Sequence, residues 1–341
     1  MGGGPDPGLG VYPATVAAGL TRVLGPALVG LYLHGSAAMG GWSAERSDVD
    51  LLGVVARPLD RRSKREISAR LNHPSLVCPA PAGLELSLVT VAVAGALARV
   101  LGPVLIGVYL HGSAALGGWS PERSDVDLLG VVATSLDRRA KRVVSARLNH
   151  PSLVCPAEAG LELSLVTAAV AADPPRRPPF ELHVTTGPSP QTHLGGPAAA
   201  DPDLLLHFAV CRRAGLTVAG PAPVEVFAEP PRAWLLERAA AELRWATRHG
   251  GFAYRVLTAC RAWRYLEDDV LGSKVDSGRW ARARLGGPAA TEATNPAAVA
   301  LVDAAVAAQL GQAPMPDAAA DLAAADRLVA AVLDRFAGGE G

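Results

Sequence analysis

The sequence has no excess charge of either sign and no long apolar stretch. Its 341 residues include 32 basic and 32 acidic side chains, so no global positive field attracts nucleic acid, and we expect no nucleic-acid partner. No apolar run reaches the roughly 18–20 residues of a membrane helix. The N-terminal stretch MGGGPDPGLG lacks the basic and apolar regions of a signal peptide, and Asp6 departs from the myristoylation pattern. We therefore expect a cytoplasmic protein without a membrane partner.

Cysteine is also scarce. The sequence contains four cysteines, and none of them is spaced as Cys-x-x-Cys. This count and spacing indicate neither a disulfide framework nor a zinc site. We interpret all four as buried free thiols: Cys78, Cys155, Cys211 and Cys260.

The feature that organises the chain is an internal repeat. Residues 17–93 recur as residues 94–170 without a gap, so that LYLHGSAAMGGWSAERSDVDLLGVV (31–55) becomes VYLHGSAALGGWSPERSDVDLLGVV (108–132). A solenoid needs at least three units, and its copies usually diverge. Two nearly identical copies, named copy 1 and copy 2 here, indicate a recent tandem duplication or an error in the sequence.

Each copy has the pattern of a compact α/β unit, in which a helix precedes a buried strand, a Gly-Ser turn, a second strand, a charged helix and a third strand. A further strand at Phe180–Thr185 follows copy 2 alone, and the pattern from Asp201 onward is helical. The predicted fold class is α/β (α+β), a small mixed sheet with helices in two tandem copies, followed by an all-α helical bundle. The expected domains are a flexible N-terminus (1–16), copy 1 (17–93), copy 2 (94–190) and the helical domain (200–338).

The residues that suggest chemistry lie at the turn and at the strand ends. In copy 2 they are Gly112-Ser113, Ser124, Asp125, Asp127 and, 35 residues beyond Asp127 on the next strand, Glu162. Side chains two apart on a strand share a face, so the two aspartates project together. Such carboxylates suit one or two Mg²⁺ ions, or one of them serves as a general base. A Gly-Ser turn lets backbone amides and a hydroxyl approach phosphate oxygens.

Taken singly, these signals are weak. Asp-x-Asp is frequent at strand ends, and Gly-Ser is an ordinary turn. The full order of strand, Gly-Ser, Ser-Asp-x-Asp and strand with Glu is far more specific. Copy 1 repeats the whole set at Ser36, Ser47, Asp48, Asp50 and Glu85.

The segment LHGSAALGGWSPERSDVDLLGVV resembles the signature of the DNA polymerase β-like nucleotidyltransferases. From about Val93 to the end, the chain resembles the bacterial streptomycin/spectinomycin adenylyltransferases, also through GLELSLVT, FELHVTTG, VLTACRAWRYL and LGSKVDSGRWA. The resemblance implies that ATP is the co-substrate and that Mg²⁺ is the cofactor. It also implies that the protein is a monomer and binds a small hydroxylated, cationic acceptor.

The resemblance also implies roles for the matching residues. Asp125 and Asp127 hold Mg²⁺ together with Glu162, which takes the proton from the acceptor hydroxyl. Gly112, Ser113 and Ser124 contact the triphosphate, and Arg261 and Lys274 bind the phosphates from the helical domain. Copy 2 is the expected catalytic unit, because it alone continues into the extra strand and that domain.

The identity of the acceptor is predicted from a segment in which this chain departs from the family's pattern. Family members that accept streptomycin carry a Trp and an acidic residue just before the helix with the arginine, where this chain has Gly250-Gly251-Phe252-Ala253-Tyr254. Spectinomycin is therefore favoured over streptomycin. A transferase that modifies a protein or another metabolite, as toxin–antitoxin relatives do, and a non-catalytic nucleotide-binding protein remain as alternatives.

Two charged segments have competing interpretations. Glu267, Asp268 and Asp269 either attract a cationic acceptor or form a solvated helix end. The basic runs 61–65 and 138–142 resemble nucleic-acid patches, but on amphipathic helices a solvated face is the expected interpretation.

Overall fold

The computed structural model describes residues 9–25, 28–33, 48–55, 59–74, 76–80, 84–90, 92–118, 124–150, 153, 155, 157–286 and 296–338. The chain divides into two compact units. The first comprises residues 1–169, 179–199 and 214–226, and the second comprises residues 170–178, 200–213 and 227–341. Both copies of the repeat, residues 17–93 and 94–170, thus belong to the first unit, except for Val170.

Copy 1 forms a three-stranded sheet in the order β1-β2-β3. Strand β2 is antiparallel to β1 and parallel to β3, so the sheet is mixed. The helices pack on one face, where Val16, Leu20 and Leu51 are buried in its core. The elements of copy 1 are α1 (Tyr12–Leu24), β1 (Leu28–Leu33), β2 (Val49–Val55), α2 (Arg61–Leu71) and β3 (Leu84–Thr90).

Copy 2 repeats this arrangement within a six-stranded sheet of order β8-β7-β6-β5-β4-β9. Strand β9 pairs antiparallel with β4, while the β7–β8 hairpin continues the sheet beyond β6. The elements of this sheet and its connections are α3 (Ala92–Leu101), β4 (Leu105–Leu110), α4 (Gly112–Ala115), β5 (Val126–Val132), α5 (Arg138–Leu148), β6 (Leu161–Thr167), α6 (Ala168–Ala172), β7 (Leu182–Thr185), β8 (Gln191–Leu194), α7 (Leu204–Ala214), β9 (Leu216–Ala219) and α8 (Pro223–Val226).

The repeated sequence produces repeated local structure. The side chain of Asp60 accepts a hydrogen bond from the Ser63 amide at the start of α2, and Asp137 accepts one from the Ala140 amide at the start of α5. Both aspartates are N-caps with extended backbone, which satisfies an amide that the helix leaves unpaired. Identical strand register follows as well, since Asp50 pairs with Glu85 and Asp127 with Glu162.

The described residues of the second unit form five long helices besides α7. Helix α10 is buried on most of its faces, and its residues Val256, Leu257 and Cys260 belong to a core that includes Val302 and Val329. The bounds of these helices are α9 (Arg232–His249), α10 (Phe252–Asp268), α11 (Lys274–Gly286), α12 (Pro296–Gln309) and α13 (Ala319–Gly338).

The predicted mixed sheet with helices is confirmed, and three details of the prediction are wrong. Residues 12–16 of the expected flexible N-terminus are helical, because Tyr12 and Val16 are buried in the copy 1 core. The sheet of copy 2 extends past residue 190, to β8. The pattern from Asp201 onward is not entirely helical, because Leu216–Ala219 forms β9.

Among the helices described, none combines the length and the apolar character that a membrane crossing requires.

Candidate active site

Three carboxylates meet at one end of β5 and β6 in the copy 2 sheet. Strands β5 and β6 are parallel, with Asp127 directly paired with Glu162, and Asp125 comes just before β5. One carboxylate oxygen from each of the three residues lies within 4.8 Å of the other two. All three side chains are half-buried. This geometry agrees with the expectation from the sequence that the three side chains lie close together.

The donor set of this cluster suits a hard cation. It offers oxygen ligands only, which is the set that Mg²⁺ and Ca²⁺ prefer. Three negative charges at such separations repel each other, and a divalent cation between them converts that repulsion into attraction. Among the described residues, no other group of three or more His, Cys, Asp or Glu side chains is arranged to hold a metal.

The Gly-Ser turn lies against the cluster. Gly112 has a backbone φ of +60°, and a Cβ built on it would lie 1.9 Å from Asp127 Oδ2. Any other residue would therefore meet both a strained backbone and the Asp127 carboxylate. The His111 amide donates to the Asp127 carbonyl oxygen at 3.0 Å, which ties the turn to β5. The His111 side chain is buried, as expected for a packing role.

Ser113 follows Gly112 in the short helix α4. Its Oγ is buried and has no hydrogen-bond partner in the described part of the chain. A buried hydroxyl without a partner costs about 1–3 kcal/mol, so a ligand atom at this position would recover that energy. Ser124, the other predicted phosphate contact, is buried next to Asp125.

A buried ion pair joins α5 to the extra hairpin of copy 2. Lys141 Nζ lies 2.8 Å from Glu181 Oε2, and both side chains are 7% exposed. Lys141 also donates to the Gly195 carbonyl oxygen, and Glu181 accepts from the Leu136 amide. Burial raises the pKa of Glu181, but the hydrogen bonds from Lys141 and Leu136 and the lysine charge bring that pKa below its ordinary value.

Lys141 corrects the prediction for the basic run 138–142. The expected solvated face holds for Lys64 in copy 1, which is exposed, but Lys141 is buried in the ion pair. Sequence reasoning missed the partner because Glu181 lies 40 residues downstream, just before β7, in a segment that follows copy 2 alone.

The two predicted phosphate-binding cations belong to the second unit and share a neighbourhood around Tyr254. Lys274 Nζ lies 4.3 Å from the centre of the Tyr254 ring, a cation–π contact. The Tyr254 hydroxyl donates to Glu242 Oε1 at 3.1 Å. Burial, followed by the Glu242 charge, raises the pKa of Tyr254, while the Arg261 charge opposes that rise.

Arg261 itself lines a solvent-open cavity of about 330 Å³ together with Glu242, Thr258 and Gly272. Neither Tyr254 nor Glu242 was singled out from the sequence as a site residue. The positions of Tyr254 and Glu242 in the sequence match no motif, and their residue types are common, so nothing in the sequence marked them as site residues.

The acidic end of α10 is exposed to solvent, and its carboxylates are paired with arginines. Glu267 pairs with Arg284 and Arg335, and Asp268 pairs with Arg284. Asp269 pairs with Arg213 and Arg232. The interpretation of a solvated helix end therefore agrees with the structure, and arginines of the same unit already pair with the carboxylates that would attract a cationic acceptor.

The corresponding residues of copy 1 are described only in part. Ser36 and Ser47 lie outside the described residues, and for Asp50 and Glu85 the description covers the backbone alone. Asp48 is half-buried just before β2. All four cysteines are free, with Cys211 and Cys260 buried and Cys78 and Cys155 half-buried.

Comparison with known proteins gives three kinds of match. The family model "Aminoglycoside adenylyltransferase, C-terminal domain" matches residues 227–325. An aminoglycoside (3'') (9) adenylyltransferase of Shigella flexneri is 30% identical over 214 residues, which cover 59% of this chain and 80% of the relative. The enzyme of the same name from Klebsiella pneumoniae is 31% identical over 206 residues, covering 57% of this chain and 77% of the relative.

A solved structure shares the fold. The spectinomycin adenyltransferase of Enterococcus faecialis, crystallised with ATP and spectinomycin, superimposes with a TM-score of 0.55. The superposition covers 72% of this chain and 96% of that chain, at 17% sequence identity.

Proposed function

The chain belongs to the aminoglycoside adenylyltransferase family, and from this premise we propose that it transfers AMP from ATP to a hydroxyl of spectinomycin. The observation that carries the proposal is the meeting of Asp125, Asp127 and Glu162 beside the Gly112-Ser113 turn. Spectinomycin is favoured over streptomycin because Gly250 to Tyr254 replace the Trp and the acidic residue of the streptomycin-accepting members.

In the proposed reaction, Glu162 takes the proton of the acceptor hydroxyl. The resulting oxygen bonds to the α-phosphorus of ATP, the bond from that phosphorus to the bridging oxygen breaks, and pyrophosphate leaves. Bound at Asp125, Asp127 and Glu162, Mg²⁺ would neutralise charge on the phosphates. The orphaned Ser113 hydroxyl supports a phosphate contact, because a phosphate oxygen would satisfy it.

Arg261 and Lys274 are proposed to bind the triphosphate from the second unit. Their location around Tyr254 in that unit supports a common ligand, because both side chains lie near the same ring. The Tyr254 ring stabilises Lys274 in the interval before ATP arrives.

Copy 2, together with the helices of the second unit, is the proposed catalytic body, and copy 1 is proposed to be an inactive product of tandem duplication. The support is the extent of the copy 2 sheet, which continues from β6, the strand of Glu162, into β7 and β8. Positioning of the acceptor provides much of the rate in such reactions, and copy 1 has no corresponding strands in its described part.

The test incubates the purified chain with labelled ATP, Mg²⁺ and a panel of aminocyclitols and aminoglycosides. We expect pyrophosphate release and a labelled product with spectinomycin, at least tenfold faster than with streptomycin. Removing Mg²⁺ with a chelator should abolish the release of pyrophosphate. Binding of ATP without transfer to any member of the panel would refute the proposal.

A further inference from the structure

One row of side chains crosses the copy 2 sheet on the face that carries Asp127 and Glu162, and it becomes exposed toward β8. The strand register pairs Asp127 with Glu162, Glu162 with Thr185, and Thr185 with Gln191. His193 follows two residues after Gln191 on β8, so its side chain shares this face. Neighbouring strands are about 4.8 Å apart, which places Gln191 roughly 10 Å from Glu162.

The opposite face of these strands is closed by packing. Leu163 on β6 and Val184 on β7 are buried in the core of copy 2. Thr192 on β8 points to the same side, because its Oγ1 lies 2.8 Å from Ser145 Oγ on α5. A molecule that reaches the Glu162 carboxylate must therefore approach over the face that carries Thr185 and Gln191.

The order within the row assigns the two sides of Glu162. On one side stands Asp127, where the metal cluster and the Gly112-Ser113 turn receive the nucleotide in the proposed function. The acceptor hydroxyl is deprotonated by Glu162 while it attacks that nucleotide. The rest of the acceptor therefore has to extend toward the other side of Glu162. That side begins at Thr185, directly across the strand pair from Glu162.

We propose that Thr185, Gln191 and His193 form the acceptor-binding surface of the enzyme and select a polyhydroxylated ring compound. This inference rests on the proposed function, because it takes Glu162 as the base.

The side chains on this surface suit hydroxyl groups. Thr185 Oγ1 accepts from the Gln191 amide at 3.0 Å, and His193 Nε2 lies 3.1 Å from Gln191 Oε1. The Thr185 hydroxyl proton and the Gln191 side-chain amide protons remain as donors. Gln191 and His193 are exposed, whereas Thr185 is half-buried next to Glu162. Groups of this kind distinguish acceptors by which of their hydroxyl groups they can hydrogen-bond.

The experiment compares the wild type with Gln191→Ala, His193→Ala and the control Thr192→Val. Thr192 lies on the same strand but faces α5, so its variant reports the structural effect of changing β8. Steady-state rates give the KM for spectinomycin and for ATP. Calorimetry gives the affinity for spectinomycin in the presence of Mg²⁺ and a non-hydrolysable ATP analogue, and it needs no turnover.

Losing one or two hydrogen bonds should raise the spectinomycin KM and Kd about tenfold in Gln191→Ala and roughly threefold in His193→Ala. The KM for ATP should stay within about twofold, and Thr192→Val should change neither constant by more than that. Equal spectinomycin affinity in all four proteins, or a parallel rise in the KM for ATP, would overturn the inference. Absence of spectinomycin binding in the wild type would overturn it too. The proposed function fails separately if none of the acceptors in the panel causes the wild type to release pyrophosphate.

Discussion

Copy 1 and copy 2 have nearly the same sequence, yet their surroundings differ. Both form the same three strands with the same carboxylate register. In copy 2, β9 covers the β4 edge and the β7–β8 hairpin covers the β6 edge, while in the described part of copy 1 the sheet ends at β1 and β3. Lys64 is exposed, whereas its counterpart Lys141 is buried against Glu181.

The comparison teaches that local sequence determines the strands and caps, and that distant segments determine whether a site is complete. An isolated sheet edge exposes unpaired backbone groups, and pairing with a further strand removes them. In this chain the completing strands come from residues 182–219, and they join copy 2. Substitutions made at matched positions of the two copies therefore test which copy works.

The largest expected difference concerns the metal-binding carboxylates. Asp127→Asn should lower kcat by about three orders of magnitude, because a metal ligand and a charge are lost together. Asp50→Asn should leave kcat within about twofold of the wild type. Adenylyl transfer to spectinomycin at saturating Mg²⁺ measures both. A severe loss in Asp50→Asn would show that copy 1 takes part in catalysis.

The next difference concerns stability. Lys141→Met leaves the Glu181 carboxylate buried without its partner, which should reduce the free energy of unfolding by about 3–5 kcal/mol. Lys64→Met removes an exposed charge and should cost less than about 0.5 kcal/mol. Urea denaturation followed by circular dichroism gives both values. Equal losses in the two variants would mean that the copies are packed alike.

A smaller effect is expected at the Gly-Ser turn. Ser113→Ala should raise the KM for ATP about tenfold, since a hydrogen bond to a charged phosphate oxygen is worth roughly 1.5–3 kcal/mol. Ser36→Ala, the matched change in copy 1, should leave that KM unchanged. Initial rates at varied ATP and saturating acceptor provide the comparison.

The smallest effect is a pH dependence that copy 1 should lack. The pKa of Glu181 is below its ordinary value of 4.5, so its ionised form stabilises the folded protein above that pH. This contribution should be lost as the pH falls through the folded-state pKa. Glu181→Gln should therefore show a weaker fall in unfolding free energy between pH 6 and pH 3 than the wild type, as measured by urea denaturation.

The candidate site was predictable where it depends on local sequence. Strand alternation and a 35-residue spacing placed Asp127 and Glu162 on adjacent strands, and the register pairs them directly. Strand β9 was missed because LTVA is four residues long and only half-buried, which leaves no alternation to detect.

Helix α11 shows how tertiary packing supports a segment whose local helix pattern is weak. Its sequence KVDSGRWARARLG has no clear apolar face and carries Gly278 in its interior, which lowers helix propensity. In the folded unit that glycine lets the helix approach its neighbours. A Cβ at Gly278 would lie 2.7 Å from the Val306 side chain and 2.9 Å from that of Leu257. Tertiary packing of this kind cannot be derived from the local pattern.

The most direct test of the central claim measures kcat for Glu162→Gln and Glu85→Gln side by side, in the same adenylyl-transfer assay. If copy 2 alone catalyses transfer, Glu162→Gln should lose roughly 10²–10⁴-fold in kcat, the usual contribution of a general base, and Glu85→Gln should match the wild type. A loss confined to Glu85→Gln would assign catalysis to copy 1 and contradict the account.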